Sequence, residues 1–325
     1  MDTNTISFPG LGIGEFTVNE VALSLFDGKL EIRWYAIFIC LGILFGYALF
    51  LNKATKHEGI SEDSAINLVL LLIPISVIGA RTLYVLTDGK HQTFAEAIAI
   101  WNGGLAIYGA LIFGAITIAI YCRVCKLSVL KLLDSVAPAV LIGQILGRWG
   151  NFMNGEAYGW SPNVEAYPWR MVVNGTVAHP TFLYESLWNL VGFVIILLCY
   201  RKKRFDGQII SMYVLWYGFG RALIEFLRTD SLYVGNVKLM VVLGFAFFVC
   251  GVLGLVILGA KAKKGEAELE EYRRSHPAEC AVDTGECSRC NDTGADTDSG
   301  SDTEPEDNDT PDDASASDDC ETKEE

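Results

Sequence analysis

The chain shows no internal repeat, no glycine-rich phosphate fingerprint following a strand, and no basic patch interleaved with aromatic residues. Those absences exclude a solenoid, a nucleotide-binding domain of the common kinds and a nucleic-acid partner. The apolar stretches hold no His, Cys, Asp or Glu set with metal-ligand spacing, so neither a metal nor another cofactor is expected there. The N-terminal segment lacks the basic start, compact apolar stretch and small-residue cleavage site of a signal peptide, so the first apolar helix is expected to direct membrane insertion itself. Nine cysteines do not make a secreted disulfide framework, because most sit in apolar runs or beside basic loops.

The net charge of −14 averages two unlike parts. From Glu266 onward there are 22 acidic and 4 basic residues, whereas the preceding 265 residues hold 17 and 21. A mildly basic, strongly apolar body therefore precedes an acidic tail. Rich in Asp, Glu, Ser, Thr and Gly, that tail cannot bury enough surface to offset chain entropy, and disorder is expected. His276, Cys280, Cys287 and Cys290 form a Cys3His set, but without an apolar core around them the better reading is a few reduced cysteines in solvent. The Cys-x-x-Cys spacing of Cys122 and Cys125 at a helix end is read as incidental.

The body contains apolar runs near residues 34–51, 65–86, 104–122, 132–146, 187–200, 209–227 and 239–260, the fifth extending back toward Thr181. A helix needs about 20 residues to cross roughly 30 Å of hydrocarbon. The expected fold is therefore an all-α polytopic membrane protein of about seven transmembrane helices, with kinks at Pro74 and Pro138. Residues 1–33 form an external segment, 34–260 the membrane body, and 261–325 a basic stop followed by the acidic tail. Lys53, Lys56, Arg123, Lys126, Lys131, Arg201, Lys202, Lys203, Arg204, Lys261, Lys263 and Lys264 fall in alternate loops, which places the N-terminus outside and the C-terminus in the cytoplasm.

The most informative stretch is Gly147-Arg148-Trp149-Gly150-Asn151-Phe152-Met153-Asn154-Gly155-Glu156, which follows the fourth run. A charge near the bilayer centre costs roughly 2.5–3.5 kcal/mol on insertion scales, so an ionisable residue at such depth points to function. On a helix Arg148, Asn151 and Asn154 share one face. Close helix contact through Gly143 and Gly147, with Arg148 snorkelling to the headgroups, explains the arginine but not Asn151, Asn154 and Glu156 together. The sixth run carries a second polar stripe, Tyr217, Arg221, Glu225 and Arg228. Its bland reading is a self-satisfied ladder, yet one acid faces two arginines and positive charge remains to be placed. Further polar clusters lie on the same side at residues 32–35, 79–84, 101–109 and 179–185, where an interfacial aromatic belt accounts for Trp34, Trp101 and Tyr84 taken singly. Asn102 reads equally as a helix cap. A positive, amide-lined cavity at headgroup depth suits a phosphate-bearing lipid, since arginine matches phosphate bidentately and stays charged when partly desolvated.

These residues also carry a resemblance. The run from Gly147 to Gly159 resembles the signature of the prolipoprotein diacylglyceryl transferase family, as do Gly-Gly-Leu-Ala-Ile-Tyr-Gly at 103–109, His-Pro-Thr-x-Leu-Tyr-Glu at 179–185 and Tyr-x-x-x-Arg-x-x-x-Glu-Phe-x-Arg at 217–228. The likeness extends from about Arg33 to Ala260 and leaves out the tail. It implies an enzyme of the bacterial cytoplasmic membrane that moves the diacylglyceryl group of phosphatidylglycerol to a lipobox cysteine thiol of a prolipoprotein, forming a thioether and releasing glycerol phosphate. It further implies that Arg148 binds the lipid headgroup, that Arg221 is catalytically essential, and that Tyr35, Asn151, Glu156, Gly159 and Tyr217 are functional. Some relatives carry a histidine, proposed as a base, where this chain has Tyr108; a tyrosine hydroxyl, ionising near pH 10 when unperturbed, is a poor base.

The charge pattern fits that chemistry. A free thiol titrates near pH 8.5, and Arg148 and Arg221 would favour its thiolate and stabilise the departing phosphate. Asn151 and Asn154 would orient glycerol hydroxyls, Glu225 and Arg228 complete the binding set, and the general base stays open between Glu156 and a phosphate oxygen. A transporter of an anionic solute or lipid would also want arginines at depth. Against it, polar residues gather on one side and intramembrane charge in the cytoplasmic half is nearly absent. A seven-helix receptor has only the helix count in its favour.

Overall fold

The computed structural model describes residues 3–25, 30–88, 93–98, 100, 103–229, 233–234 and 237–275. Trp101, Asn102 and the tail set His276, Cys280, Cys287 and Cys290 lie outside the described residues. The chain divides into two units, Met1–Lys264 and Gly265–Glu325. In the first, the short strands β1 (Thr3–Phe8), β2 (Ile13–Asn19), β3 (Val21–Leu25) and β4 (Leu30–Arg33) lead into helices α1 (Trp34–Lys56), α2 (Glu62–Asp88), α3 (Phe94–Ile98), α4 (Ile107–Val124) and α5 (Val129–Met153). There follow β5 (Met171–Val173), β6 (Thr176–Ala178), α6 (Thr181–Tyr200), α7 (Gln208–Glu225), β7 (Tyr233–Val234), β8 (Val237–Lys238) and α8 (Leu239–Ser275), whose residues from Gly265 onward fall in the second unit.

Among the described residues, six helices are long and apolar enough to cross a membrane: α1, α2, α4, α5, α6 and α8. Where the seventh span was expected the chain forms the helix α7, but its polar stripe keeps it out of that set. Pro74 and Pro138 both lie inside helices that continue past them. The helices are faced by lipid-type side chains, and Leu44, Leu111, Leu198 and Val256 are each at least 60% exposed. Without a hydrophobic drive between helices in lipid, close packing must come from small residues. A Cβ on Gly42 of α1 would sit 3.2 Å from Gly143 Cα of α5, and one on Gly109 of α4 would sit 2.2 Å from the Gly79 carbonyl oxygen of α2. Between α6 and α7, Trp188 and Trp216 stack at 4.3 Å, and each indole N–H donates to the other's carbonyl, at 3.1 and 3.0 Å.

Two features depart from the sequence reading. The segment before α1 is folded: β1 pairs with β2 and, far along the chain, with β5, giving a four-stranded sheet in the order β2-β1-β5-β6. Strands of three to seven residues with half-exposed faces leave too little alternation to be read as strands. The second concerns charge at the end of the bundle remote from Arg148. There Lys203 Nζ lies 2.5 Å from Glu58 Oε2, 2.8 Å from Asp134 Oδ2 and 3.2 Å from Asp206 Oδ1. Asp134 is fully buried in α5 and Tyr200 donates to Glu58. That half of the body is therefore not nearly free of charge; distant segments pair there, which no run of sequence displays.

Candidate functional site

The C-terminal half of α5 remains helical through Gly147 and Gly150, so Arg148 and Asn151 fall on one face and Nη1 of Arg148 donates to Oδ1 of Asn151 at 3.1 Å. Asn154 is the C-cap, and Gly155 then turns the chain at φ +61°, a left-handed value that favours glycine. A Cβ at Gly155 would also strike Asn4 at 2.6 Å. The turn brings Glu156 back over the helix end, where its Oε1 accepts from Asn151 Nδ2 at 3.0 Å and Asn154 Nδ2 at 3.1 Å. Glu156 itself is exposed. Oδ1 of Asn154 is buried and accepts no hydrogen bond among the described residues.

Helix α7 supplies the second half. It ends at Glu225, so Arg228 lies beyond the helix instead of continuing the stripe. It returns because residue 228 bridges Gly159, whose backbone also pairs with His179. Gly159 accordingly works through its backbone: an added Cβ would meet Thr181 Cγ2 at 2.6 Å and the Leu227 carbonyl oxygen at 2.9 Å. Lys238 of β8 fastens the same end by donating to the carbonyls of Glu225, Phe226 and Arg228 at 2.9, 3.3 and 3.1 Å.

Glu185 of α6, absent from the candidate set drawn from sequence, joins the halves. Its Oε2 lies 2.7 Å from Arg148 Nη2, and its Oε1 lies 3.1 Å from Arg221 Nη1 and 2.9 Å from Arg228 Nη1. Glu225 pairs with Arg221 at 2.8 Å and with Arg228 at 3.9 Å. Glu185 and Glu225 are 5% and 1% exposed, so this is a buried network of three guanidinium groups and two carboxylates. The clue to Glu185 lay in the 179–185 motif, where an acid opens an apolar span.

Around this network stand the tyrosines. Tyr35 closes against Gly150, where a Cβ would meet its ring at 2.6 Å, and it lies in the field of Glu156 and Arg148. Tyr217 stacks on Tyr213 at 5.9 Å and feels Arg221, Glu185 and Arg148. Tyr108 instead directs its hydroxyl to Met240 Sδ of α8 at 3.3 Å. Beside the network, buried His179 contacts Ser161 Oγ at 2.8 Å and the Tyr184 hydroxyl at 3.3 Å. Burial pushes its imidazole below the usual histidine range. No group of three or more His, Cys, Asp or Glu among the described residues has the geometry to hold a metal ion.

The arrangement can hold one anionic phosphodiester with bidentate donors, offer it amide and carboxylate partners, and stabilise charge on a departing oxygen. Comparison with known proteins points the same way. The family model described as prolipoprotein diacylglyceryl transferase matches residues 20–257. A phosphatidylglycerol–prolipoprotein diacylglyceryl transferase of Finegoldia magna is 40% identical over 250 residues, 76% of this chain and 97% of the relative. Proteins of the same description from Streptococcus equi subsp. zooepidemicus and Streptococcus pyogenes serotype M5 are 43% and 41% identical, covering 68% and 71% of this chain and 88% and 95% of their own lengths.

Proposed function

The chain belongs to the prolipoprotein diacylglyceryl transferase family, and on that premise we propose that the Glu185-centred arginine network is its reaction centre. The protein transfers the diacylglyceryl group of phosphatidylglycerol to a cysteine thiol of a prolipoprotein, forming a thioether and releasing glycerol phosphate. All seven long helices are read as crossings of a bacterial plasma membrane, α7 included. The basic loops that follow α1, α4, α6 and α8's apolar part favour an outside N-terminus. The network then faces the outer leaflet, where a lipobox cysteine arrives on its signal peptide.

The observation that supports the site assignment is the convergence of Arg148, Arg221 and Arg228 on one buried carboxylate, Glu185, beside the amides of Asn151 and Asn154. In this reading Arg148 holds the phosphate, with Arg228 behind it, and Asn151 and Asn154 orient the headgroup glycerol. The empty acceptor of Asn154 suits a lipid hydroxyl. Exposed Glu156 takes the proton from the incoming thiol. The thiolate attacks the diacylglyceryl carbon that bears the phosphate ester, the new S–C bond forms as that C–O bond breaks, and the electron pair leaves on phosphate oxygen. Arg221, held by Glu185 and Glu225, stabilises that oxygen together with Arg148. Tyr35 and Tyr217 wall the chamber, Tyr108 contributes packing more than proton transfer, and Gly159 fixes Arg228 in place.

The test is incubation of purified protein with headgroup-labelled and acyl-labelled phosphatidylglycerol and a lipobox peptide. Acyl label should appear on the peptide and headgroup label in free glycerol phosphate. A peptide with serine in place of cysteine should take up none. Release of both labels together, or movement of intact lipid across vesicles without peptide labelling, would favour the transporter reading.

A further inference from the structure

We propose that Asp134, in the cluster at the opposite end of the bundle, is a positioning residue that sets the height of Arg221 against Arg148. The inference rests on the reading of these two arginines as reaction-centre groups. Helices α5 and α7 run in the same direction, since their N-terminal ends meet at Asp134 and their C-terminal ends meet through Glu185. Gly207 enters α7 at φ +85° with no side-chain cap of its own, leaving the first amides of the helix to be satisfied from elsewhere. Asp134 does this across the interface. Its Oδ2 accepts from Gly207 N and its Oδ1 from Ile210 N, both at 2.8 Å, while the residue itself is fully buried. A carboxylate spanning two amides of one turn fixes a helix along its axis more tightly than apolar packing does.

The spacing gives this its consequence. Arg148 lies fourteen residues after Asp134, and Arg221 fourteen after Gly207. At 1.5 Å per residue both arginines stand about 21 Å above the shared contact, at one level. Glu185 can then reach both guanidinium groups, at 2.7 and 3.1 Å. Between the two ends, Gln144 of α5 donates to the Tyr213 hydroxyl of α7 at 2.9 Å, which fits the same alignment. Slippage of α7 by one residue would displace Arg221 by about 1.5 Å and rotate it about 100°, enough to break the contact with Glu185 that it shares with Arg148. Lys203 also contacts Asp134, but it equally contacts Glu58 and Asp206, so it neutralises the cluster without fixing α7.

The experiment uses the full chain in lipid nanodiscs as Asp134→Ala, Asp134→Asn and Lys203→Gln, assayed with phosphatidylglycerol and a lipobox peptide. Hydrogen exchange of the 207–210 segment is followed in parallel. Asp134→Ala should lower kcat at least tenfold, with KM for lipid changed less than threefold and exchange of that segment at least tenfold faster. Asp134→Asn keeps an acceptor oxygen and should fall between Asp134→Ala and wild type. Lys203→Gln should lower Tm yet keep kcat within threefold of wild type. A kcat loss below tenfold in Asp134→Ala overturns the proposal. So does an equal loss in Lys203→Gln and Asp134→Asn, a comparison that remains decisive if Asp134→Ala fails to fold. Failure of wild-type protein to transfer label, with the 207–210 amides still protected, would instead reject the functional reading.

Discussion

Glu185 Oε2 stands 2.7 Å from Arg148 Nη2, although the two residues come from different helices with the whole β5–β6 hairpin between them in sequence. The same carboxylate holds Arg221 and Arg228. Glu185→Gln keeps the shape but removes the carboxylate charge that Arg148, Arg221 and Arg228 share. Removing one partner from a buried ion network costs about 3–5 kcal/mol. The expected outcome is a lower Tm and a loss of transfer of about a hundredfold or more in the fraction that remains folded. Thermal denaturation and single-turnover transfer, measured on the same preparation, check both halves of this expectation.

Arg148→Lys should preserve the helices and lose most of the activity. A lysine supplies a point charge in place of a fork that simultaneously meets Glu185 and Asn151 and presents to phosphate. Circular dichroism should be unchanged while peptide modification falls at least tenfold at saturating lipid. Near wild-type turnover would make Arg148 a packing residue.

Tyr108→Phe removes only a hydroxyl bonded to Met240 sulfur. Less than a tenfold change in the chemical step is expected, because a tyrosine is a poor base near neutral pH. A loss of three orders of magnitude, read by rapid-quench transfer, would make Tyr108 a proton carrier in the reaction.

His179 gives the protein an acid sensitivity. Burial holds its imidazole below the ordinary value of about 6.5, so the folded protein keeps it neutral while unfolded chains protonate. The stability it contributes is complete above about pH 6.5 and is lost as pH falls through the folded value. His57, also shifted down by burial and by Lys53, adds to the same trend from the other end of α1. Tm should therefore drop from pH 7.5 to 5.5 in wild type and drop less in His179→Gln. An identical drop in both proteins would assign the effect elsewhere.

The seven long helices were legible because apolar runs announce themselves, but the helix after residue 132 continues to Met153 and the last continues to Ser275, past the apolar residues that marked them. Arg148, Asn151 and Asn154 were legible through their spacing of three. The joining role of Glu185 was not, although its motif stood out, since its partners lie on α5, on α7 and just beyond α7, and nothing in a linear reading brings an acid at the start of one span to arginines at the ends of two others. Arg228 looked helical by spacing, whereas the backbone leaves the helix at Glu225 and a bridge to Gly159 recovers the side chain. The inner cluster was hidden for a related reason. Glu58, Asp134 and Lys203 each look like an ordinary loop or helix-end charge until folding buries them together.

The pairing of β1 with β5 makes the order of synthesis matter. Ile6 bonds in register with Val173, so the sheet that places Asn4 against Gly155 cannot close until the strand after α5 has been made. At about 5–20 residues per second, the first strand waits roughly ten to thirty seconds for its neighbour. During that interval the β1–β2 hairpin stands alone, with an open edge available to any extended chain nearby. A tag fused close to Thr3 would occupy that edge at the moment of closure. Such a fusion should impair assembly of the Gly155 turn more than an equal tag after Ser275.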